Sequence, residues 1–246
     1  MLLYFVPKRR THLIKLYKEC QKPIRSLFTM EAVDVEDLTF KHPFSMMLSG
    51  ERRSGKTFLT KTLLLRNKQF ITPQVDWIFW FSPTEQNAVF EELRENLNNI
   101  EFVKGLPAED LTNFVSKRYG SKLIILYDLM EQASKRSDVD DLFTRGRHED
   151  ISVVFLAQNG FHQGKFFREI SKNSEYIIWF KNLREATAIT KLGIQMNITK
   201  FLKQAYIDAT REPFSYLLGD FRSDTDDRLR FRAKIFDEFP VVYLQR

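Results

Sequence analysis

With a single cysteine, Cys20, among 246 residues, the chain can build neither a disulfide framework nor a cysteine-rich zinc site, and a reducing intracellular setting is the simplest one for it. Long hydrophobic runs are missing too. No apolar stretch approaches the roughly 20 residues that span a bilayer, so no membrane partner is expected. The apolar start, MLLYFV, is short and its cations follow it instead of preceding it, the wrong order for a secretory signal. Internal repeats and low-complexity tracts are absent as well.

A surplus of charge of one sign is confined to one end. Lys8, Arg9, Arg10, Lys15, Lys18, Lys22 and Arg25 face Glu19 alone within residues 1–26, which accounts for the whole net charge of +6. That run suits contacts with nucleic-acid phosphates or a nuclear-import address; a solvated arm is the plain alternative. Length and a hydrophobic content of 43% suit one sizeable α/β domain, or at most one domain with an appendage, and a single folded unit is expected. We expect a basic N-terminal arm over residues 1–38, closed by the acid-rich stretch 31–37, and a folded domain over 39–246.

Within that domain, near-continuous apolar runs at 44–48, 75–81, 123–127, 151–156 and 176–180 have the length that buried parallel strands need. Polar, periodic stretches at 85–98, 107–117 and 138–145 lie between them, and 183–192 and 198–210 read as further helices. The alternation predicts a βαβ series around a mostly parallel central sheet, closed by a β-hairpin from 214–220 and 229–236.

Residues 50–57 read GERRSGKT, two glycines five apart followed at once by lysine and a hydroxyl residue. Set between a strand and a helix, such a loop can turn its backbone N–H groups around a β-phosphate while the helix aims its positive end at the same oxygens. Gly50, Glu51, Arg52, Arg53, Ser54, Gly55, Lys56 and Thr57 are therefore the candidate triphosphate site. Lys56 is placed to reach the β and γ phosphates, and Thr57 to complete the shell of a Mg²⁺ ion. Arg52 and Arg53 put two cations inside the loop, either assisting phosphate or pointing to solvent.

A P-loop ATPase also needs a carboxylate pair at the end of a strand, expected beside the loop strand. Asp128 ends the apolar run 123–127, and Glu131 follows as a candidate base. An N-cap or loop role is the alternative for Asp128. Gln158, at the tip of 151–156, can hold the attacking water, although such an amide alone reads as a turn. Arg147, in the segment RGRH, offers a guanidinium to a neighbouring subunit; a solvated arginine is the plain reading.

Several stretches go further than motifs. HPF at 42–44, LYDLM at 126–130, FTRGRH at 143–148, ISVVFLAQN at 151–159, FHQGK at 161–165, Asn173 with Tyr176, FKNLR at 180–184, AYIDAT at 205–210 and YLLGD at 216–220 together resemble a known family. It is the viral DNA-packaging ATPases of the FtsK/HerA superfamily, in the poxvirus-type branch of Polinton (Maverick) elements and adintoviruses. The resemblance covers almost everything after about residue 39, and the phrase from 147 to 165 is its most specific part.

It implies a RecA-like P-loop NTPase that assembles as a homo-oligomeric ring and uses ATP and Mg²⁺ to drive double-stranded DNA into a preformed capsid. The capsid or its portal vertex would be a partner, and the host nucleus, a virus assembly site or the virion the location. By motif match Lys56 and Thr57 hold phosphate and Mg²⁺, Asp128 belongs to the Walker B pair and also serves the metal, and Gln158 is the sensor. Arg147 and Arg184 are both candidate fingers acting in trans.

One departure matters. Relatives usually end the Walker B strand with two acids, and here Tyr127 stands at the first. Either Asp128 alone serves the metal with Glu131 as base, or the chain binds nucleotide as a hydrolysis-impaired assembly subunit, or it comes from a decayed copy. A small-molecule kinase is a third class; the lack of an arginine-rich lid and the extended second half argue against it.

Overall fold

The computed structural model describes residues 11–18, 28–34, 38–84, 88–158, 165–182 and 186–245. In chain order the elements are β1 (Thr11–Lys18), β2 (Phe28–Asp34), β3 (Phe40–Lys41), β4 (Ser45–Ser49), α1 (Lys56–Leu65), α2 (Asn67–Phe70), β5 (Ile71–Thr72), β6 (Trp77–Ser82), α3 (Ala88–Asn96) and β7 (Ile100–Lys104). Then follow α4 (Leu111–Val115), β8 (Lys122–Tyr127), α5 (Met130–Ala133), α6 (Ser137–Arg145), β9 (Ile151–Ala157), α7 (Lys165–Asn173) and β10 (Tyr176–Phe180). The chain ends with α8 (Ala186–Gln195), α9 (Thr199–Ala209), β11 (Tyr216–Asp220), β12 (Phe231–Ala233) and β13 (Val241–Leu244). The main sheet has 11 strands in the order β2-β1-β13-β12-β11-β10-β4-β9-β8-β6-β7, and β3 pairs with β5 apart from it.

The strands from β10 to β7 run parallel. Their sequences are apolar almost without break because helices cover both faces, and successive side chains enter opposite layers. Met46, Leu48, Ile78, Trp80, Ile125 and Leu156 pack with Leu59 and Leu63 of α1, Phe70 of α2 and Phe90 of α3. Met47, Phe79, Ile124, Leu126, Phe155 and Trp179 pack with Val115 of α4, Leu142 of α6, Ile170 of α7, Ile189 of α8 and Leu202 of α9. The fold is thus the expected α/β P-loop architecture, with α1 to α3 on one face and α4 to α9 on the other.

Beside β10 the sheet turns antiparallel. β11 and β12 form the expected C-terminal hairpin, with Leu218 opposite Arg232. The buried Asp220 ties it together by accepting from Arg222 Nε at 3.1 Å and Arg232 Nη2 at 3.0 Å. β13 extends the hairpin, and β1 then pairs parallel with β13, Lys15 opposite Val241. The stretch expected as a basic arm therefore contributes β1 and its antiparallel neighbour β2 to the same sheet, and part of the acid-rich stretch 31–37 lies within β2.

One expectation is corrected. The strand ending at Asp128 does not lie beside the loop strand, because β9 separates β8 from β4. A crossover helix can skip a position in the sheet, and leaving a gap there lets a later strand enter between the two. The consequence is chemical: the tip of β9 stands between the loop and Asp128.

Candidate functional site

The loop from Gly50 to Thr57 leaves the C-terminal end of β4, where ligands of open α/β sheets collect. Glycine is required at both ends. A Cβ on Gly50 would lie 2.7 Å from Phe180 Cβ and 2.7 Å from Ser54 Oγ, and Gly55 has φ +106. Helix α1 starts directly after Gly55 with no side-chain cap and no acid in its first turn, whereas α4 is capped by Asp110, which accepts from Asn113 N at 3.2 Å. The first N–H groups of α1 are thus left to an anion, with the helix dipole favouring negative charge. Lys56 is buried, and its Nζ donates to the carbonyls of Gly50 at 2.5 Å and Glu51 at 2.8 Å. Its ammonium is held over the loop, while Arg52 and Arg53 are exposed.

Across the loop, β8 delivers Asp128 and β9 delivers Gln158. Gln158 Nε2 donates to Asp128 Oδ1 at 2.7 Å, and the Gln158 N–H approaches Met130 Sδ at 3.4 Å. Asp128 is exposed and takes φ +52, a left-handed conformation that a short polar side chain tolerates best. Tyr127 is half-buried, its ring 5.9 Å from Trp80 and 6.4 Å from Phe90, so the position at which the resemblance implies a first acid is filled from the apolar layer under α1 and α3.

These residues share one cavity of about 1050 Å³. Arg52 to Leu59, Tyr127, Asp128 and Gln158 line one wall; residues 212–216 with Lys234, Phe236 and Asp237 line the other. Of the six non-glycine residues with positive φ among the described residues, four (Arg53, Asp128, Phe214 and Lys234) line it. Backbone strain of this kind costs about 1–3 kcal/mol per residue and gathers where function requires it, so it locates the site independently of any motif.

Would this cavity fit Mg²⁺? Thr57 supplies one hydroxyl and Asp128 one carboxylate on the same wall, and Mg²⁺ commonly takes one or two protein oxygens with phosphate and water as the rest. Among the described residues no group of three His, Cys, Asp or Glu could hold a metal unaided. The donor set suits an ion that arrives with a triphosphate.

A family model described as the poxvirus A32 protein matches residues 32–170, more than half of the chain. The chain belongs to the poxvirus A32 family. No curated protein matches it. Among solved structures it is similar to the genome packaging NTPase B204 of Sulfolobus turreted icosahedral virus 2 in complex with AMPPCP, at 14% identity, covering 74% of this chain and 94% of that one, TM-score 0.48. It is also similar to the cytoplasmic domain of the Thermomonospora curvata type VII secretion ATPase EccC, at 17% identity, covering 92% of this chain and 28% of that one, TM-score 0.49. A third similarity is to the pCW3 conjugation coupling protein TcpA with ATPγS, at 13% identity, covering 96% and 68%, TM-score 0.49.

The A32 match takes in the loop, Asp128 and Gln158 but ends before the second wall of the cavity begins. Glu131, within it, lies on α5 and does not line the cavity; its carboxylate accepts from Lys135 Nζ at 2.8 Å, and that ammonium lowers its pKa. Arg147 lies just before β9, at the opposite end of the sheet, where its Nη1 donates to Glu175 Oε1 at 2.6 Å. Burial raises the pKa of Glu175 although the Arg147 guanidinium opposes it. Arg184, Asn159 and residues 161–164 lie outside the described residues.

His42 also belongs to that far end. Its Nδ1 lies 2.6 Å from Ser152 Oγ and its Nε2 3.1 Å from Asp150 Oδ1, while Ser152 Oγ accepts from Phe44 N at 2.9 Å. The network fastens the start of β4 to the start of β9. Residues 212–216 and 234–237 were expected at most as parts of the C-terminal hairpin, with no place at the site, and of them only Tyr216 falls in a stretch that carries the resemblance.

Proposed function

We propose that this member of the A32 family is an ATP-driven motor that moves double-stranded DNA into a viral or transposon capsid, working as a ring of identical copies. The observation that carries the reading is the meeting of Lys56, Thr57, Asp128 and Gln158 at one cavity, at the ends of β4, β8 and β9. In this reading Lys56 and the first N–H groups of α1 bind the β and γ phosphates, and Thr57 and Asp128 hold Mg²⁺. That ion, when bound, offsets charge on the phosphates. Gln158, fixed by Asp128, orients the attacking water. Glu131 is the candidate base, although its lowered pKa makes it a weak one where it stands. A neighbouring copy supplies Arg147 or Arg184 to the γ-phosphate. The basic N-terminal segment contacts DNA phosphates, and the stretch 147–165 favours the branch of Polinton elements and adintoviruses, active in the host nucleus or at the assembly site.

The test is DNA-stimulated ATPase activity of the full chain. Activity is expected in the wild type and its loss in Lys56→Ala; turnover that survives that substitution would sink the proposal. Neutralising Lys8, Arg9, Arg10, Lys15, Lys18, Lys22 and Arg25 should flatten the salt dependence of DNA binding, and an unchanged slope returns the segment to solvent.

Tyr127 favours a second reading, a subunit that binds nucleotide without hydrolysing it. Its ring packs where relatives place an acid, and Asp128 is the one carboxylate that this strand end offers the cavity. Tyr127→Asp separates the two: a large rise from negligible turnover supports the second reading, and substantial wild-type turnover excludes it.

A further inference from the structure

Three phenyl rings line the cavity, and their surroundings differ. Phe236 is half-buried and stacks edge-on against Phe70 at 4.7 Å. Phe58, on the first turn of α1, carries Lys61 Nζ 5.0 Å from its ring centre. Phe214 has no aromatic or cationic partner among the described residues and leaves 69% of its surface open.

A bulky residue gains nothing by standing in water, and Phe214 does so at a backbone cost. Its φ is +62, in the left-handed region that favours glycine. The turn is held in place: Ser215 Oγ donates to Glu212 O at 2.6 Å, Pro213 stiffens it, and Tyr216 anchors its end by packing on Phe180 at 5.6 Å. The same turn abuts the phosphate loop, since a Cβ on Gly55 would meet Phe214 Cβ at 3.3 Å and Cδ1 at 3.6 Å. A rigid turn thus holds an uncovered aromatic face beside the loop, in a cavity larger than a triphosphate needs; small-molecule sites run to roughly 300–1,000 Å³.

We propose that Phe214 is the stacking platform for the base of the bound nucleotide, and that residues 212–216 form a base subsite separate from the phosphate loop. This rests on the triphosphate reading above and adds to it which part of the ligand the second wall takes. An aromatic face accepts any base, and stacking on it contributes about 1–3 kcal/mol by alanine substitution, roughly 5- to 150-fold in affinity. The wall lies outside residues 32–170, so the base subsite is contributed by the part of the chain beyond the A32 match.

The experiment titrates the full chain with Mg²⁺–ATP and, in parallel, with Mg²⁺ and inorganic tripolyphosphate, which has the phosphates and no base. Phe214→Ala is expected to weaken ATP roughly 5- to 150-fold and to leave tripolyphosphate within about twofold. Equal weakening of both ligands would show that the ring only props the loop and would overturn the proposal, as would unchanged ATP affinity. Phe214→Trp guards against a variant that misfolds: it is expected to keep ATP affinity, with indole emission quenched by ATP and not by tripolyphosphate. Emission unmoved at saturating ATP overturns the proposal. Failure of the underlying triphosphate reading looks different: Lys56→Ala would then bind both ligands as tightly as the wild type.

Discussion

The two ends of the same parallel strands treat polar groups in opposite ways. At the ends after Ser49, Tyr127 and Ala157, the helix N–H groups are uncapped, Asp128 is exposed, and strained residues gather around a cavity. At the beginnings, His42, Ser152, Phe44, Ser45, Glu175 and Arg147 form a bonded network in which Ser152 is wholly buried. One end keeps its hydrogen-bonding capacity for a ligand; the other spends it on holding the strands in register. Both ends lie in stretches that resemble the packaging ATPases, so similarity of sequence does not by itself tell ligand contacts from fastenings.

Substitutions can break that contrast. Lys56→Ala should cost roughly 100-fold in nucleotide affinity, from lost charge-assisted hydrogen bonds, while moving Tm by no more than about 3 °C; a larger thermal loss would mean that the open end also carries stability. Asp128→Asn is expected to lower turnover about 10²-fold and leave metal-free nucleotide binding unchanged, checked by steady-state kinetics beside a binding titration.

His42→Ala reverses the pattern. We expect about 1–3 kcal/mol of destabilisation, since Ser152 and Asp150 lose a buried partner, with ATP affinity unchanged; weaker binding would couple the two ends. Acid probes the same residue. Burial lowers the His42 pKa below its ordinary 6.5 against the pull of Asp150, so the unfolded chain takes up a proton that the folded chain resists. Its contribution is therefore fully present above pH 6.5 and is lost as pH falls through the lower folded value. A thermal melt series should decline on the acid side, less steeply in His42→Gln. The smallest stability change is expected for Arg147→Ala, about 1 kcal/mol or less because its side chain is 64% exposed, with nucleotide affinity of the chain unchanged.

Much of the open end was legible beforehand. Gly50, Gly55, Lys56 and Thr57 sit at fixed spacing within one strand-loop-helix unit, and Asp128 and Gln158 end apolar runs too uniform to be anything but buried strands. These signals are local. The insertion of β9 between β4 and β8 is not, because strand order depends on which crossovers skip a position. The second wall was invisible for the same reason: Phe214 and Lys234 reach the cavity only because the hairpin β11–β12 joins the sheet next to β10, and nothing in their own neighbourhoods announces it. Helix α7 and strands β7 and β13 also went unread, β7 because it is a short, partly polar run at the sheet's edge and β13 because an apolar run of four residues carries little periodicity.

The pairing of β1 with β13 joins the first described strand to the last. During synthesis the basic strand β1 can find β2 early but must wait for residues 241–244 before it can pair with β13. Contacts so distant along the chain are slow to form, so an emerging chain carries its cationic hairpin unattached while the parallel core assembles. Until residues 241–244 emerge, β1 lacks its partner on the sheet, whereas afterwards it is held through β13 beside the hairpin that carries the second wall. The order of synthesis thus gives β13 a part in deciding when β1 is held to the sheet.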